Sequence, residues 1–169
     1  MSRIASVTRQ TNETQIGLNL NLDGQGDFSC DVEVDDHHLV EDVGLVLGQA
    51  LGEALGDKTG IERYGSSLLP MDEVLVAVAF DLSGRFTFCS DYTPQREKVG
   101  DLSTEMVSHF FRSLAVEARA NLHFRFLNSG ENEHHRIEAM FKGFARALRQ
   151  AVALNARSAG SIPSTKGSL

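Results

Sequence analysis

Two short boxes of one design constrain this chain more than any other feature. Asp36-His37-His38-Leu39-Val40-Glu41 and Glu133-His134-His135-Arg136-Ile137-Glu138 both contain His-His-x-x-Glu, each at the head of a segment with helical periodicity. On a helix, residues four apart share a face and adjacent residues point about 100° apart. His134 and Glu138 can therefore grip one metal ion while His135 turns towards another, and His37, Glu41 and His38 repeat the pattern. The offset is 97 residues at both the histidine (His37 to His134) and the glutamate (Glu41 to Glu138). It continues past the boxes, since Ala50, Leu51 and Ala54 recur as Ala147, Leu148 and Ala151. A pair of solvated helix starts would not repeat its polar residues so faithfully. The expected fold class is α+β, a duplicated unit in which each half packs helices on one face of a sheet.

Imidazoles with carboxylates and no thiolates suit manganese, iron or zinc. Cys30 and Cys89 lie far apart and make no C-x-x-C pair, so neither a disulfide framework nor a thiolate zinc site is expected. A net charge of −7 argues against nucleic-acid binding, which needs a basic footprint. It leaves room for a small phosphorylated substrate, which needs only a few local cations. The first residues lack the apolar core of a signal peptide, and the longest apolar run, Val74 to Phe80, is too short to span a bilayer. The expectation is a cytoplasmic protein with no membrane partner.

Residues 1–24 read as one or two strands, with Ile16, Leu18, Leu20 and Leu22 alternating before an Asp23-Gly24 turn. Phe28 to Val34 is a further strand candidate. Asp35 or Asp36 is placed to cap a helix whose apolar stripe runs from Leu39 to Leu55 and closes at Gly56. Gly44, Gly48 and Gly52 fall four apart, a pattern for close packing against a neighbouring element. Residues 57–70 read as a loop-rich connector. Met71 to Leu82 reads as a strand buried on both faces, and Arg85 to Ser90 as another. A helix is expected over Asp101 to Ala118, capped by Ser103 or Thr104, then a strand over Asn121 to Phe126. The second box opens a last helix to about Leu154, followed by a Gly/Ser-rich tail. The organisation expected is a first half at 1–82, a second half at 83–157 and a tail at 158–169 that contributes to the active site.

Other residues could carry chemistry. His109 sits on the third helical segment, and His123 lies within a strand. Arg63, Arg85, Lys142 and Lys166 are scattered cations that could together form a phosphate pocket. Glu13, in Arg9-Gln10-Thr11-Asn12-Glu13-Thr14, reads by itself as an exposed carboxylate.

At these positions the chain resembles the imidazoleglycerol-phosphate dehydratases of histidine biosynthesis. The matching stretches are Arg9-x-Thr-x-Glu-Thr, Asp35-Asp-His-His-x-Val-Glu-Asp-Val-Gly, Leu55-Gly-Asp-Lys-x-Gly-Ile-x-Arg-Tyr-Gly, Pro70-Met-Asp-Glu, Asp81-Leu-Ser-Gly-Arg, Val99-Gly-Asp-Leu-Ser-Thr-Glu, His109-Phe-Phe, the second box with its flanks, and Pro163-Ser-Thr-Lys-Gly. They run from end to end in the family's order. The resemblance implies metal-dependent removal of water from imidazole glycerol phosphate to give imidazole acetol-phosphate, through a metal-stabilised imidazolate. It implies two manganese ions per active site, held by His37, His38, Glu41, His109, His134, His135 and Glu138. Arg63, Arg85, Lys142, Ser164 and Lys166 match positions that hold the substrate phosphate. Glu13 matches a proposed acid/base, and with His38 and Glu138 it completes the expected catalytic set. The resemblance also implies sites at subunit contacts in a large homo-oligomer, about 24 chains assembled from trimers.

One departure stands out. After Cys30 the family carries more chain, roughly 25 to 30 residues, room for a helix and a strand. That helix brings the counterpart of His109, another metal ligand. Leu39 and Phe86 stand where threonine and proline are usual. The alternative expectation is therefore a catalytically impaired or inactive metal-binding assembly of the same fold. A hydrolytic metalloenzyme of unrelated fold would leave the Ser164-Thr165-Lys166 motif unexplained.

Overall fold

The computed structural model describes the backbone of residues 2–26, 36–158 and 160–165, and the side chains of all these but Asp36, His37 and Ser158. Strands β1 (Ile4–Gln10) and β2 (Gln15–Asn21) form an antiparallel hairpin. Helix α1 (Asp36–Leu55) follows, then β3 (Tyr64–Met71), β4 (Val74–Asp81) and β5 (Thr87–Ser90). A small hairpin, β6 (Lys98–Val99) and β7 (Leu102–Ser103), leads into α2 (Glu105–Glu117), β8 (Asn121–Asn128) and α3 (Glu133–Ala151). The main sheet has the order β3-β4-β8-β5, with β5 parallel to β8 and the other pairs antiparallel. Helices join the β1–β2 hairpin to the main sheet: α3 packs on β3 and β4, α1 packs on the β1–β2 hairpin, and α1 packs against α2. The α+β class is as expected.

The two hairpins are copies of each other. Ala5 pairs with Leu20 as Gly65 pairs with Phe80, an offset of 60 residues on both strands. Their helix contacts correspond as well. Ala5 shares a core cluster with Ala50, while Gly65 meets Ala147, 97 residues further on, so closely that no Cβ would fit. Hairpins offset by 60 and helices by 97 imply unequal spacers. Between β2 and α1 there are 14 residues, and between β4 and α3 there are 51. The first half is 37 residues shorter there, in the stretch where the second half carries β5, α2 and β8. Because β3, β4, β5 and β8 share one sheet, strands on both sides of position 82 belong to the same layer.

Several expectations need correction. The connector 57–70 ends in a strand, β3, which lacks clean polar alternation. It is an edge strand, so Pro70 is tolerated there, and Gly65 lets it approach α3. The run Met71 to Leu82 is divided by a two-residue turn, Asp72-Glu73, so its own strand begins at Val74. It is buried on one face only. Val74, Val76, Val78 and Phe80 point into the core, while Leu75, Ala77 and Asp81 are half-buried and Ala79 is exposed. Thr104 precedes α2 without capping it, because its hydroxyl donates to the Arg96 carbonyl at 2.5 Å. The last helix ends at Ala151, and Leu154 instead bridges to Ile61. The strand candidate Phe28 to Val34 lies outside the described residues.

Gly44 and Gly48 fulfil the close-packing expectation. A Cβ on either would stand 2.6 Å from the Phe110 carbonyl oxygen or 2.5 Å from that of Leu114, so α1 and α2 touch backbone to backbone. Gly52 has nothing within 4 Å of its notional Cβ. Beneath these helices Phe111, Leu114, Leu122 and Met140 are fully buried. Phe111 anchors an aromatic cluster with Phe124 and Phe141, both at 4.7 Å between centroids, and Phe144 at 5.5 Å.

Candidate metal centre

The second box sits on the first turns of α3, and its presentation is enforced from below. Asn132 caps the helix, its Oδ1 accepting from the His134 N–H at 3.0 Å. Glu133 points inward and is 1% exposed. A carboxylate so deep must be satisfied on every side. Its Oε1 accepts from the Tyr92 hydroxyl at 2.6 Å, its Oε2 accepts from the Gln95 N–H at 2.8 Å, and the Arg136 guanidinium lies 3.6 Å away. Arg136 donates onward to the carbonyls of Ser129 (2.7 Å) and Gly130 (2.8 Å). Burial, then the bond to Glu133, pushes the Tyr92 phenol up, so it remains a donor. This network fixes the loop before the helix and leaves His134, His135 and Glu138 on the outside.

His134 Nε2 and Glu138 Oε2 stand 3.2 Å apart, on one face as the four-residue spacing requires. Lys142 Nζ lies 2.5 Å from Glu138 Oε1, and this bond holds the Glu138 carboxyl below the usual range. His135 turns the other way. Its Nδ1 is 2.8 Å from Glu73 Oε2, and its Nε2 is 3.4 Å from Asp72 Oδ2. Asp72, Glu73 and His135 are the one group of three among the described residues whose ligand atoms lie mutually within 4.8 Å. The bond from His135, and then backbone N–H groups, hold Glu73 down at about 2. The His135 imidazole is correspondingly raised, chiefly by Glu73.

The first box repeats the geometry in outline. His38 Nδ1 lies 3.4 Å from Glu13 Oε2. Glu13 projects from a tight turn in which Thr11 Oγ1 accepts the N–H groups of Glu13 (3.1 Å) and Thr14 (2.9 Å). Buried Asp42 accepts from Arg9 Nε at 2.7 Å and from the Thr14 hydroxyl, tying that turn to α1. Glu41 is half-buried on the same helix. The His37 side chain lies outside the described ones. His109 is exposed on α2 and, among the described residues, belongs to no cluster of three candidate ligand side chains.

The expected phosphate ligands do not gather in one place. Lys142 stays with the second box, through Glu138. Arg63 lies at the other end of β3, where Nε and Nη2 donate to Asp81 at 2.7 and 3.2 Å. Its Nη1 donates to the Pro163 carbonyl at 3.0 Å, and the Gly60 N–H reaches Ser161 at 2.9 Å. The tail is thus laid beside Arg63, with Ser164 half-buried there. Arg85 is exposed in the turn just beyond β4. Lys166 lies outside the described residues. The sequence gives no role to Asp72, Glu73, Glu133 or Arg136: the first two stand only in the matching stretch Pro70-Met-Asp-Glu, within an expected strand, and the other two only as members of the second box.

These features define a class: a duplicated α+β enzyme presenting paired histidine–carboxylate boxes at the heads of equivalent helices. The family model for imidazoleglycerol-phosphate dehydratase matches residues 11–148. The imidazoleglycerol-phosphate dehydratase of Clostridium botulinum is 45% identical, with 99% of each chain covered, and that of Prosthecochloris aestuarii is 46% identical, with 98% of this chain and 95% of the relative covered. The crystal structure of the Staphylococcus aureus enzyme is 43% identical and superposes with a TM-score of 0.70 over 74% of this chain and 72% of that one. The chain belongs to the imidazoleglycerol-phosphate dehydratase family, whose members are hydro-lyases. The alignment with the Clostridium relative runs over 196 positions, at least 27 more than the 169 residues of this chain can fill.

Proposed function

We propose that the chain dehydrates imidazole glycerol phosphate to imidazole acetol-phosphate in histidine biosynthesis, at sites that hold manganese. The observation that carries this is the pairing of His134 Nε2 with Glu138 Oε2 at 3.2 Å, in a chain of the dehydratase family. Ligand atoms bonded at about 2.1 Å to one ion, at right angles, lie about 3 Å apart. The second box therefore fits a hard divalent ion with little rearrangement. His37, His38, Glu41, His109, His134, His135 and Glu138 are the proposed ligands of two ions. A bound ion supplies Lewis acidity towards a substrate imidazole nitrogen and hydroxyl oxygen.

The remaining work falls to protein groups. Glu13, exposed at the apex of its fixed turn, moves the carbon-bound proton, and His38 and Glu138 complete the catalytic set. Arg63, Arg85, Lys142, Ser164 and Lys166 bind the phosphate and fix the substrate's orientation. No described helix is long and apolar enough to cross a membrane, in keeping with the proposed cytoplasmic location.

Distance supports a site shared between chains. The second box and Arg63 lie at opposite ends of β3, whose eight residues span about 23 Å at ~3.3 Å each. Helix α3 measures the same gap: it starts at the box and its Ala151 carbonyl meets the Arg63 N–H at 2.9 Å, about 26 Å away at 1.5 Å per residue. A small phosphorylated imidazole cannot touch both ends. Both ends can serve one site only if a second copy supplies one of them, which supports the proposed homo-oligomer of about 24 chains.

One observation favours a second reading, an assembly of impaired activity. The stretch missing from the first half corresponds to the one that carries α2 and His109 in the second half, so a counterpart ligand is lost with it. Loss of one ligand weakens a site without abolishing it. Titrating manganese into metal-free protein should give one tight and one weaker site per chain; two equally tight sites would contradict the impairment. Turnover of imidazole glycerol phosphate, assayed with manganese and again after chelation, tests the dehydratase itself. Metal-dependent ketone formation is expected, and unchanged turnover after exhaustive chelation would overturn the metal role.

A further inference from the structure

The β3–β4 turn contributes a carboxylate that lies outside both boxes. Glu73 Oε1 accepts the N–H groups of Glu131 (3.2 Å) and Asn132 (3.1 Å), and its main-chain carbonyl accepts from Asn128 Nδ2 (2.8 Å). Room for it is kept by Gly130, at φ 59°, where an added Cβ would lie 2.5 Å from Glu73 Cγ. Its other oxygen, Oε2, faces His135 Nδ1 at 2.8 Å. Glu73 is therefore immobilised by backbone before it meets the imidazole.

An ionised carboxylate can only accept, so the neutral His135 ring must carry its proton on Nδ1 and leave the Nε2 lone pair bare. Two groups face Nε2: Asn132 Nδ2 at 3.3 Å, a donor to that lone pair, and Asp72 Oδ2 at 3.4 Å, a carboxylate that a cation held at Nε2 would satisfy. A bare Nε2 is what a metal ion needs, and a carboxylate behind the other nitrogen fixes both tautomer and ring orientation. We propose that Glu73 is a positioning residue for the metal centre, locking His135 in the Nδ1–H tautomer so that Nε2 is presented to a divalent ion. This rests on the metal reading above.

The duplication sharpens the assignment. Glu13 precedes Glu73 by the hairpin offset of 60, and His38 precedes His135 by the helix offset of 97. The two carboxylates are thus equivalent by descent, each facing Nδ1 of the second histidine of its box. They have diverged in support. Glu73 is pinned by two backbone N–H groups and its side chain is 38% exposed. Among the described residues no backbone N–H reaches the Glu13 carboxylate, which is 64% exposed and 3.4 Å from its imidazole. One copy became a fixed brace, while the other kept the freedom that moving a proton requires.

Glu73→Gln separates bracing from mere packing. The two backbone N–H groups would retain the amide oxygen, turning the NH₂ group to donate to His135 Nδ1 and forcing the proton to Nε2. The test reads the His135 tautomer by ¹⁵N NMR of histidine-labelled, metal-free protein, at a pH where the imidazoles are neutral, together with manganese affinity by calorimetry. Expected are the Nδ1–H form in the wild type, the Nε2–H form in Glu73→Gln, and a loss of manganese affinity of about 10- to 100-fold in the variant. An Nε2–H form in the wild type would overturn the proposal without any variant, as would Glu73→Gln binding manganese as tightly as the wild type. If the wild type bound no manganese, the metal reading would fall, and the tautomer would decide the bracing role alone.

Discussion

At the scale of single residues, the second box depends on its own buried members and on the groups outside it that satisfy them. Arg136 and Glu133 form a buried ion pair whose remaining capacity is spent on Tyr92, Gln95, Ser129 and Gly130. Arg136→Ala would strand a buried carboxylate and two loop carbonyls, so chemical denaturation should show a loss of about 3–5 kcal/mol. Acid sensitivity follows from exposed carboxylates. Asp23 is lowered from 3.8 chiefly by its bond to Arg3, and Asp57 chiefly by the Thr59 N–H. Groups with depressed folded values stabilise above their unfolded values and lose that contribution as the pH falls through the folded ones. The thermal midpoint should therefore drop below about pH 4, and less steeply in an Asp23→Asn, Asp57→Asn double variant. An identical slope would contradict the assignment. The histidines and glutamates of the boxes were legible in sequence because a repeated polar pattern has no packing explanation. Their supports were not. Glu133 reads as another exposed helix-start acid until burial distinguishes it.

Among the elements, helices were the easiest to foresee and β3 the hardest. Apolar stripes at a period of 3.6 place α1, α2 and α3 within a few residues of their ends. Tyr64-Gly-Ser-Ser-Leu-Leu-Pro-Met lacks alternation, and its turn, Asp72-Glu73, lacks the glycine that usually announces a tight hairpin. That strand is specified by its neighbours, β4 and α3. The glycine ladder of α1 gives a paired prediction. Gly52→Ala adds helix propensity in open space and should stabilise by about 0.5–1 kcal/mol. Gly48→Ala makes the same local gain but drives a methyl into the Leu114 carbonyl, so a net loss of about 1–3 kcal/mol is expected. Thermal melts of the two variants should move in opposite directions; stabilisation by both would show that α1 and α2 are not in backbone contact.

For the whole molecule, duplication explains both what is present and what is short. Each half offers a hairpin, a box-bearing helix and a carboxylate at the hairpin tip, but the first half lacks 37 residues of the spacer found in the second. The 97-residue echo was visible in sequence only over the helices, since the hairpins repeat at 60 and share few side chains. The separation along β3 of the proposed metal-binding and phosphate-binding groups was not visible at all. His134 and Lys142 lie near one end, Arg63 and the tail at the other, too far apart for one small substrate. The central claim is that working sites combine these two ends from different copies of the chain. Co-assembling His134→Ala and Arg63→Ala chains, each inactive alone, tests it most directly. Random mixing should restore intact sites in about a quarter of positions and turnover in proportion. Mixed assemblies as inactive as either parent would contradict the shared site and place the whole chemistry within one chain.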